Sequence, residues 1–234
     1  MLGTGGIAMR RQMRHRVAAA LGGILLLLTL VAAVLVATGA VNMTSAERPE
    51  HYMDILFVDD GSHVDRDGDG IEDGQDILEA ALAYVRTRPR YRSAYYANGY
   101  PDDGFGVCTD VVAFALRDAG YDLQRLIADD IAAAPEAYDV EAPDAAIDFR
   151  RTGNQLVYFE RHAQRLTNNP ELLSSWQPGD IVMFEGHVGI VSDYRNSRGT
   201  PYVIHHQSAF QLRYEEDLLE SRRGDIVGHF RMAG

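Results

Sequence analysis

The order of hydrophobic periods predicts an α+β domain, with N-terminal helices packed on a small antiparallel sheet. Apolar residues at helical spacing fill the stretch before Pro178-Gly179. After that dipeptide the texture changes to short β-branched and aromatic runs between turn signals. Helices first and a run of strands afterwards is the order of an α+β fold. Setting aside residues 1–41 leaves 193 of the 234 residues, enough for one domain with a sizeable core.

The first segment is apolar. Arg10, Arg11, Arg14 and Arg16 precede an uncharged run over 17–41, centred on Ile24-Leu25-Leu26-Leu27-Leu28. Roughly 20 apolar residues cross a bilayer as a helix, whereas the core of a signal peptide is ~7–15. Length therefore predicts a retained membrane anchor. The arginines stay cytoplasmic by the positive-inside rule, which places the rest of the chain outside, in a periplasm or at a cell surface. Small residues at Thr38-Gly39-Ala40 offer cleavage as the alternative, and no cysteine stands near Ala40 to carry a lipid. A polar linker over 42–58 and an acidic, glycine-rich segment over 59–76 follow.

The remaining domain runs over 77–234. A helix is predicted over 77–88, with its apolar face at Ile77, Leu78, Ala81, Leu82 and Val85 and Pro89 as its stop. Residues 91–106 read as loop. Helices follow over 108–119, closed by Gly120, over 123–134, closed by Pro135, and over 154–166. Strands are predicted over 181–184, 187–194, 202–206 and 226–231, with Asn196-Ser197-Arg198-Gly199 as a hairpin turn.

Composition excludes several chemistries. Four of the 22 basic residues lie before Glu47, so the rest of the chain carries 18 basic and 34 acidic residues, a balance of −16. Such a domain repels phosphate backbones, and no nucleic-acid partner is expected. Every basic residue is Arg, which rules out a phosphate-loop lysine, a Schiff base and a Ser-Lys dyad. A single cysteine rules out an internal disulfide and a multi-cysteine zinc site. No organic cofactor is expected.

That cysteine, Cys108, opens a helix whose apolar face is Val111, Val112, Ala115, Leu116 and Ala119. A thiol at a helix N-terminus meets free backbone N–H groups and the positive end of the dipole, which favour thiolate and can hold an oxyanion. Gly104 and Gly106 upstream leave room for close approach of a substrate. His187 opens the strand His187-Val188-Gly189-Ile190-Val191, and Gly189 beside it would let the cysteine helix pack closely. His205 on the next strand would orient the imidazole. Nucleophile, base and orienting residue then come in the chain order of papain-like hydrolases.

Gly106-Val107-Cys108-Thr109-Asp110, Trp176-Gln177-Pro178-Gly179-Asp180-Ile181-Val182, His187-Val188-Gly189-Ile190-Val191-Ser192 and Val203-Ile204-His205 together resemble the NlpC-type papain-like superfamily. More narrowly they resemble a bacterial family of unknown function, DUF family 1287, over about 80–232. The resemblance implies a papain-like fold, Cys108 as nucleophile, His187 as base and His205 as orienting residue. It also implies a substrate-binding tyrosine about a dozen residues before the cysteine, which is Tyr96, with Tyr95 the alternative. The narrower family carries a histidine within Ile-Asp-His-Arg-Arg, where this chain has Phe149 in Ile147-Asp148-Phe149-Arg150-Arg151. Arg150 and Arg151 offer a carboxylate site or a structural ion pair; the ion pair is the expectation.

The acidic segment has the spacing of a twelve-residue calcium loop. Asp65, Asp67 and Asp69 take positions one, three and five, and Gly70 takes the sharp turn at six. Ile71 would offer its carbonyl, Asp73 would act through water, and Asp76 closes the site. An Asp in the last position resembles dockerin-like and thrombospondin-like loops, which implies a structural calcium ion.

The resulting expectation is a membrane-anchored, extracytoplasmic cysteine peptidase or amidase. Its substrate class, by resemblance, is peptidoglycan or another peptide amide. A non-catalytic, calcium-stabilised binding module of papain-like fold is the alternative. An acyltransferase acting on lipid or peptide is a second one.

Overall fold

A computed structural model of the chain describes residues 4–52 and 63–232. The chain divides into two compact units, Met1–Asn42 and Met43–Gly234. In the first, helix α1 (Thr4–Ala37) contains a 23-residue stretch, His15–Ala37, of mean hydropathy 2.7. At about 1.5 Å per residue this stretch is long enough to cross a bilayer. Its length and composition suit a membrane anchor or a signal sequence.

The second unit is mixed α and β, with an antiparallel sheet. Its helices are α2 (Asp73–Arg86), α3 (Cys108–Asp118), α4 (Leu123–Ala133), α5 (Thr152–His162) and the short α6 (Leu218–Ser221). Its strands are β1 (Arg90–Tyr91), β2 (Phe105–Gly106), β3 (Gln164–Arg165), β4 (Ile181–Phe184), β5 (His187–Arg195), β6 (Pro201–Ile204), β7 (Glu215–Glu216) and β8 (Ile226–Arg231). The main sheet has the order β3-β8-β4-β5-β6-β7 with antiparallel neighbours, and β1 and β2 form a separate parallel pair. Glu185-Gly186, with Gly186 at φ +67°, turns β4 into β5 and pairs Phe184 with His187.

Both faces of the sheet are covered. Ile181, Met183, Val188, Ile190 and Ile204 pack under α2 and α3, which contribute Ile77, Ala81, Val85, Val111, Val112, Ala115 and Leu116. Val182, Phe184, Val191 and Val203 face the other way, onto Trp176, Leu218 and Leu219. Alternation along each strand produces this division.

The Pro178-Gly179-Asp180 motif is a structural clamp. Gly179 has φ +84°, and a Cβ there would collide with the backbone of Gly74 at the start of α2. The buried Asp180 carboxylate accepts from Arg231 at 2.7 and 2.9 Å and from the Gln177 N–H at 2.8 Å, and stands 2.9 Å from His229 Nε2. The His229 ring stacks flat on Trp176, with centroids 3.7 Å apart.

The structure differs from the sequence reading at several ends. Helix α2 begins at Asp73 rather than 77, because Asp73 and Asp76 suit a helix's first turn. Helix α5 covers 152–162 rather than 154–166, since Gln164 and Arg165 pair with β8 instead. Strand β6 ends at Ile204, two residues before the predicted end. The two-residue strands and α6 carry no readable period.

Candidate active site

Cys108 is the first residue of α3, after an extended Val107. The Asp110 carboxylate reaches back to accept the Val107 N–H at 2.8 Å and binds Arg150 at 2.6 and 3.0 Å. Arg150 also donates to the Ala94 carbonyl at 2.6 Å. This buried pair fixes the turn into the helix, so Arg150 is the structural ion pair expected of it. The exposed Arg151 lies 3.7 Å from Asp148.

Cys108 as a residue is half-buried. Desolvation pushes its thiol up to about 11, against backbone N–H groups of Val188, Thr109 and Cys108 that favour the thiolate. The helix terminus thus acts in the expected direction and is outweighed, so the resting group is a neutral thiol. The two upstream glycines also differ from expectation. Nothing crowds Gly104, but the space beside Gly106 is filled by the Tyr84 hydroxyl, not left for a substrate.

His187 and His205 come together. His187 Nε2 stands 3.1 Å from His205 Nδ1, with the rings perpendicular. His205 Nε2 is 3.4 Å from the Glu216 carboxylate and 3.2 Å from the Gln211 amide nitrogen. Burial drives His187 down to about 3, helped by His205, Arg222 and His206, so its resting imidazole is neutral.

The thiol and His187 are neighbours through the backbone rather than by direct contact. The Val188 amide that faces the sulfur adjoins His187 in sequence. Yet Val188 and Ile190 point toward α3, so alternation turns His187 to the other face, where Phe184 lies 6.2 Å away. Among the described residues no hydrogen bond joins thiol and imidazole. Gly189 does not make room for α3 either. A Cβ there would strike Val203, the Ile204 carbonyl and His205, so the glycine admits the neighbouring strand.

One residue of this region escaped the sequence reading. His206 is fully buried, stands edge-on to the Tyr91 and Tyr214 rings, and among the described residues has no hydrogen-bond partner at either nitrogen. Burial and His205 lower it to about 4. Tyr91 pairs with Gly106 and is near enough to Cys108 for their anions to repel, so His206 lies on the thiol's side. The His205-His206 doublet was its signal, since adjacent residues of an extended segment face opposite ways.

Tyr96 donates to Asp103 at 3.0 Å, and the Arg150 guanidinium lies 5.0 Å from its ring. It therefore stands by the ion pair at the start of α3. Tyr95 is exposed and bonds to Asp144.

In the acidic loop, the ligand atoms of Asp65, Asp67 and Asp69 lie within 4.8 Å of one another. Gly68 and Gly70 adopt φ +78° and +96°. The N–H groups of Gly68 and Gly70 donate to Asp65 at 2.7 and 2.9 Å, and that of Ile71 to Asp69 at 2.8 Å. Converging hard oxygens on a tight backbone fit a calcium ion. The Asp76 carboxyl is raised to about 6, first by burial and then by Asp69 and Asp67. Asp73 does not join them: it is buried, accepting from the Arg66 N–H at 2.8 Å and from the Tyr121 hydroxyl. Its expected water-mediated role is corrected to anchoring α2. The expected linker and the start of the acidic segment lie partly outside the described residues, at 53–62.

Residues 78–232 match the family described as "Domain of unknown function (DUF1287)". A protein of Escherichia coli (strain K12), described as "Uncharacterized protein YijF", is 38% identical over 154 residues, covering 61% of this chain and 72% of the relative. No solved structure matches.

Proposed function

The chain belongs to the DUF1287 family, and we propose that it works as a cysteine peptidase or amidase of the NlpC-type papain-like superfamily, anchored by α1 with its second unit outside the membrane. The observation that carries this reading is the series of buried His187, buried His205 and half-buried Glu216, set one residue from the amide that faces the Cys108 thiol. Peptidoglycan stem peptides are the substrate class, by resemblance.

In the proposed reaction the Cys108 sulfur attacks an amide carbonyl carbon while His187 takes the thiol proton. The tetrahedral adduct collapses, the C–N bond breaks, and the imidazolium gives that proton to the leaving amine. Water then attacks the thioester, its proton passing to His187 and on to the departing thiolate, which releases a carboxylic acid. Both groups are neutral at rest and His187 faces away from α3, so this reading requires its side chain to turn to the thiol's side before the proton moves. His205, held by Glu216, orients the His187 ring.

Calcium, held by Asp65, Asp67 and Asp69 with Asp76 beside them, has a structural role in this reading. Exchange of purified peptidoglycan fragments for shorter ones, followed by mass spectrometry, tests the activity; equal cleavage by Cys108→Ser would refute it. The raised thiol and its lack of a bonded base favour one second reading, a non-catalytic binding module. That module would bind fragments without shortening them.

A further inference from the structure

Three apolar side chains stand exposed where the chain enters its second unit. Met43, Phe210 and Leu212 are 47%, 54% and 62% exposed. They lie on two segments tied together. The Thr44 hydroxyl donates to the Gln211 carbonyl at 2.9 Å, the Ser45 N–H to the Leu212 carbonyl at 2.8 Å, and the Tyr214 N–H to the Ser45 carbonyl at 3.1 Å. The Gln207 N–H closes the loop onto Gln211 Oε1 at 2.6 Å.

Gln211 is buried between its two exposed neighbours, with its amide 3.2 Å from His205. The loop therefore presents Phe210 and Leu212 outward and holds the histidine pair inward. Large apolar groups on a well-bonded loop gain nothing from water, and such a patch marks a contact surface.

The chain says which surface. Met43 is six residues beyond Ala37, the end of the apolar helix. Six residues reach at most ~20 Å. The domain's charge balance of −16, from 18 basic and 34 acidic residues, gives it no net attraction to anionic headgroups, which leaves the apolar side chains as the main contact.

We propose that Met43, Phe210 and Leu212 insert into the headgroup–acyl boundary of the bilayer that α1 spans, so that the His205 end of the site lies against lipid. This rests on the reading of α1 as a retained anchor.

The test uses the full chain carrying Cys108→Ser in phosphatidylcholine nanodiscs. A single fluorophore is attached through Leu212→Cys, through Phe210→Cys as a second variant, or through Arg125→Cys on α4, an exposed position outside the two tied segments, as control. Lipids carrying a shallow nitroxide should quench the loop fluorophores about two-fold or more above the control. Equal quenching in a chain held by the nanodisc would overturn the patch and leave the anchor standing. A chain that fails to stay with the nanodisc would refute the anchor, and the patch with it.

Discussion

His187 Nε2 faces His205 Nδ1 across 3.1 Å in the interior, and burial keeps both imidazoles below their ordinary proton affinity. With His206 they form a group of three histidines that the folded protein holds neutral.

Stability should therefore fall in mild acid. The unfolded chain binds these protons near pH 6.5, while His187 and His206 in the fold resist them down to about 3 and about 4. The stabilising contribution is complete above pH 6.5 and is lost as pH falls toward those values. Each imidazole adds a slope of about 1.4 kcal/mol per pH unit, about 4 for three. Urea unfolding at pH 7.5, 6 and 5 measures it. His206→Phe should flatten the slope by about a third and change stability at pH 7.5 by ~1 kcal/mol or less, because it removes an imidazole with no hydrogen-bond partner among the described residues and keeps a ring against Tyr91 and Tyr214.

Arg150 should matter to the fold more than its place near the site suggests. Arg150→Leu strands the buried Asp110 carboxylate, at a cost of about 3–5 kcal/mol. A double variant with Asp110→Asn should recover part of that loss. Equal stability of Arg150→Leu and the parent in urea would contradict the pairing.

Calcium should raise the melting temperature and a chelator should lower it. At a hundred-fold excess over Kd, binding to the folded state adds about 2.7 kcal/mol. The Asp67→Ala, Asp69→Ala variant should lose the response. Because Asp76 holds its proton up to about 6, affinity should weaken as pH falls below that value. Calorimetric titration at pH 7.5 and 5.5 reads the difference, and identical affinities would remove Asp76 from the site.

Much of this architecture was legible where one period dominates. The face Val111, Val112, Ala115 and Leu116 announced α3, and strands 181–184 and 226–231 were bounded by their own turns. The pairing of His187 with His205 followed from two strands joined by one hairpin. Other features depend on three-dimensional competition. Whether the helix terminus or desolvation governs the Cys108 thiol is decided by what covers it, which no spacing reveals. The space beside Gly106 and Gly189 is filled by Tyr84 and by β6, residues distant in sequence. Asp73 kept the spacing of a calcium ligand but was drawn inward by the Tyr121 hydroxyl and the Arg66 amide.

The central claim concerns the roles of three side chains. Cys108→Ser, His187→Ala and His205→Ala are to be assayed on peptidoglycan fragments, with melting temperature measured on the same preparations. Cys108→Ser should abolish turnover with the fold intact. His187→Ala should lose nearly as much, since nucleophile and base act as a unit. His205→Ala should cost less, because it orients the base without taking the proton. Turnover by Cys108→Ser at the parent rate would contradict the account.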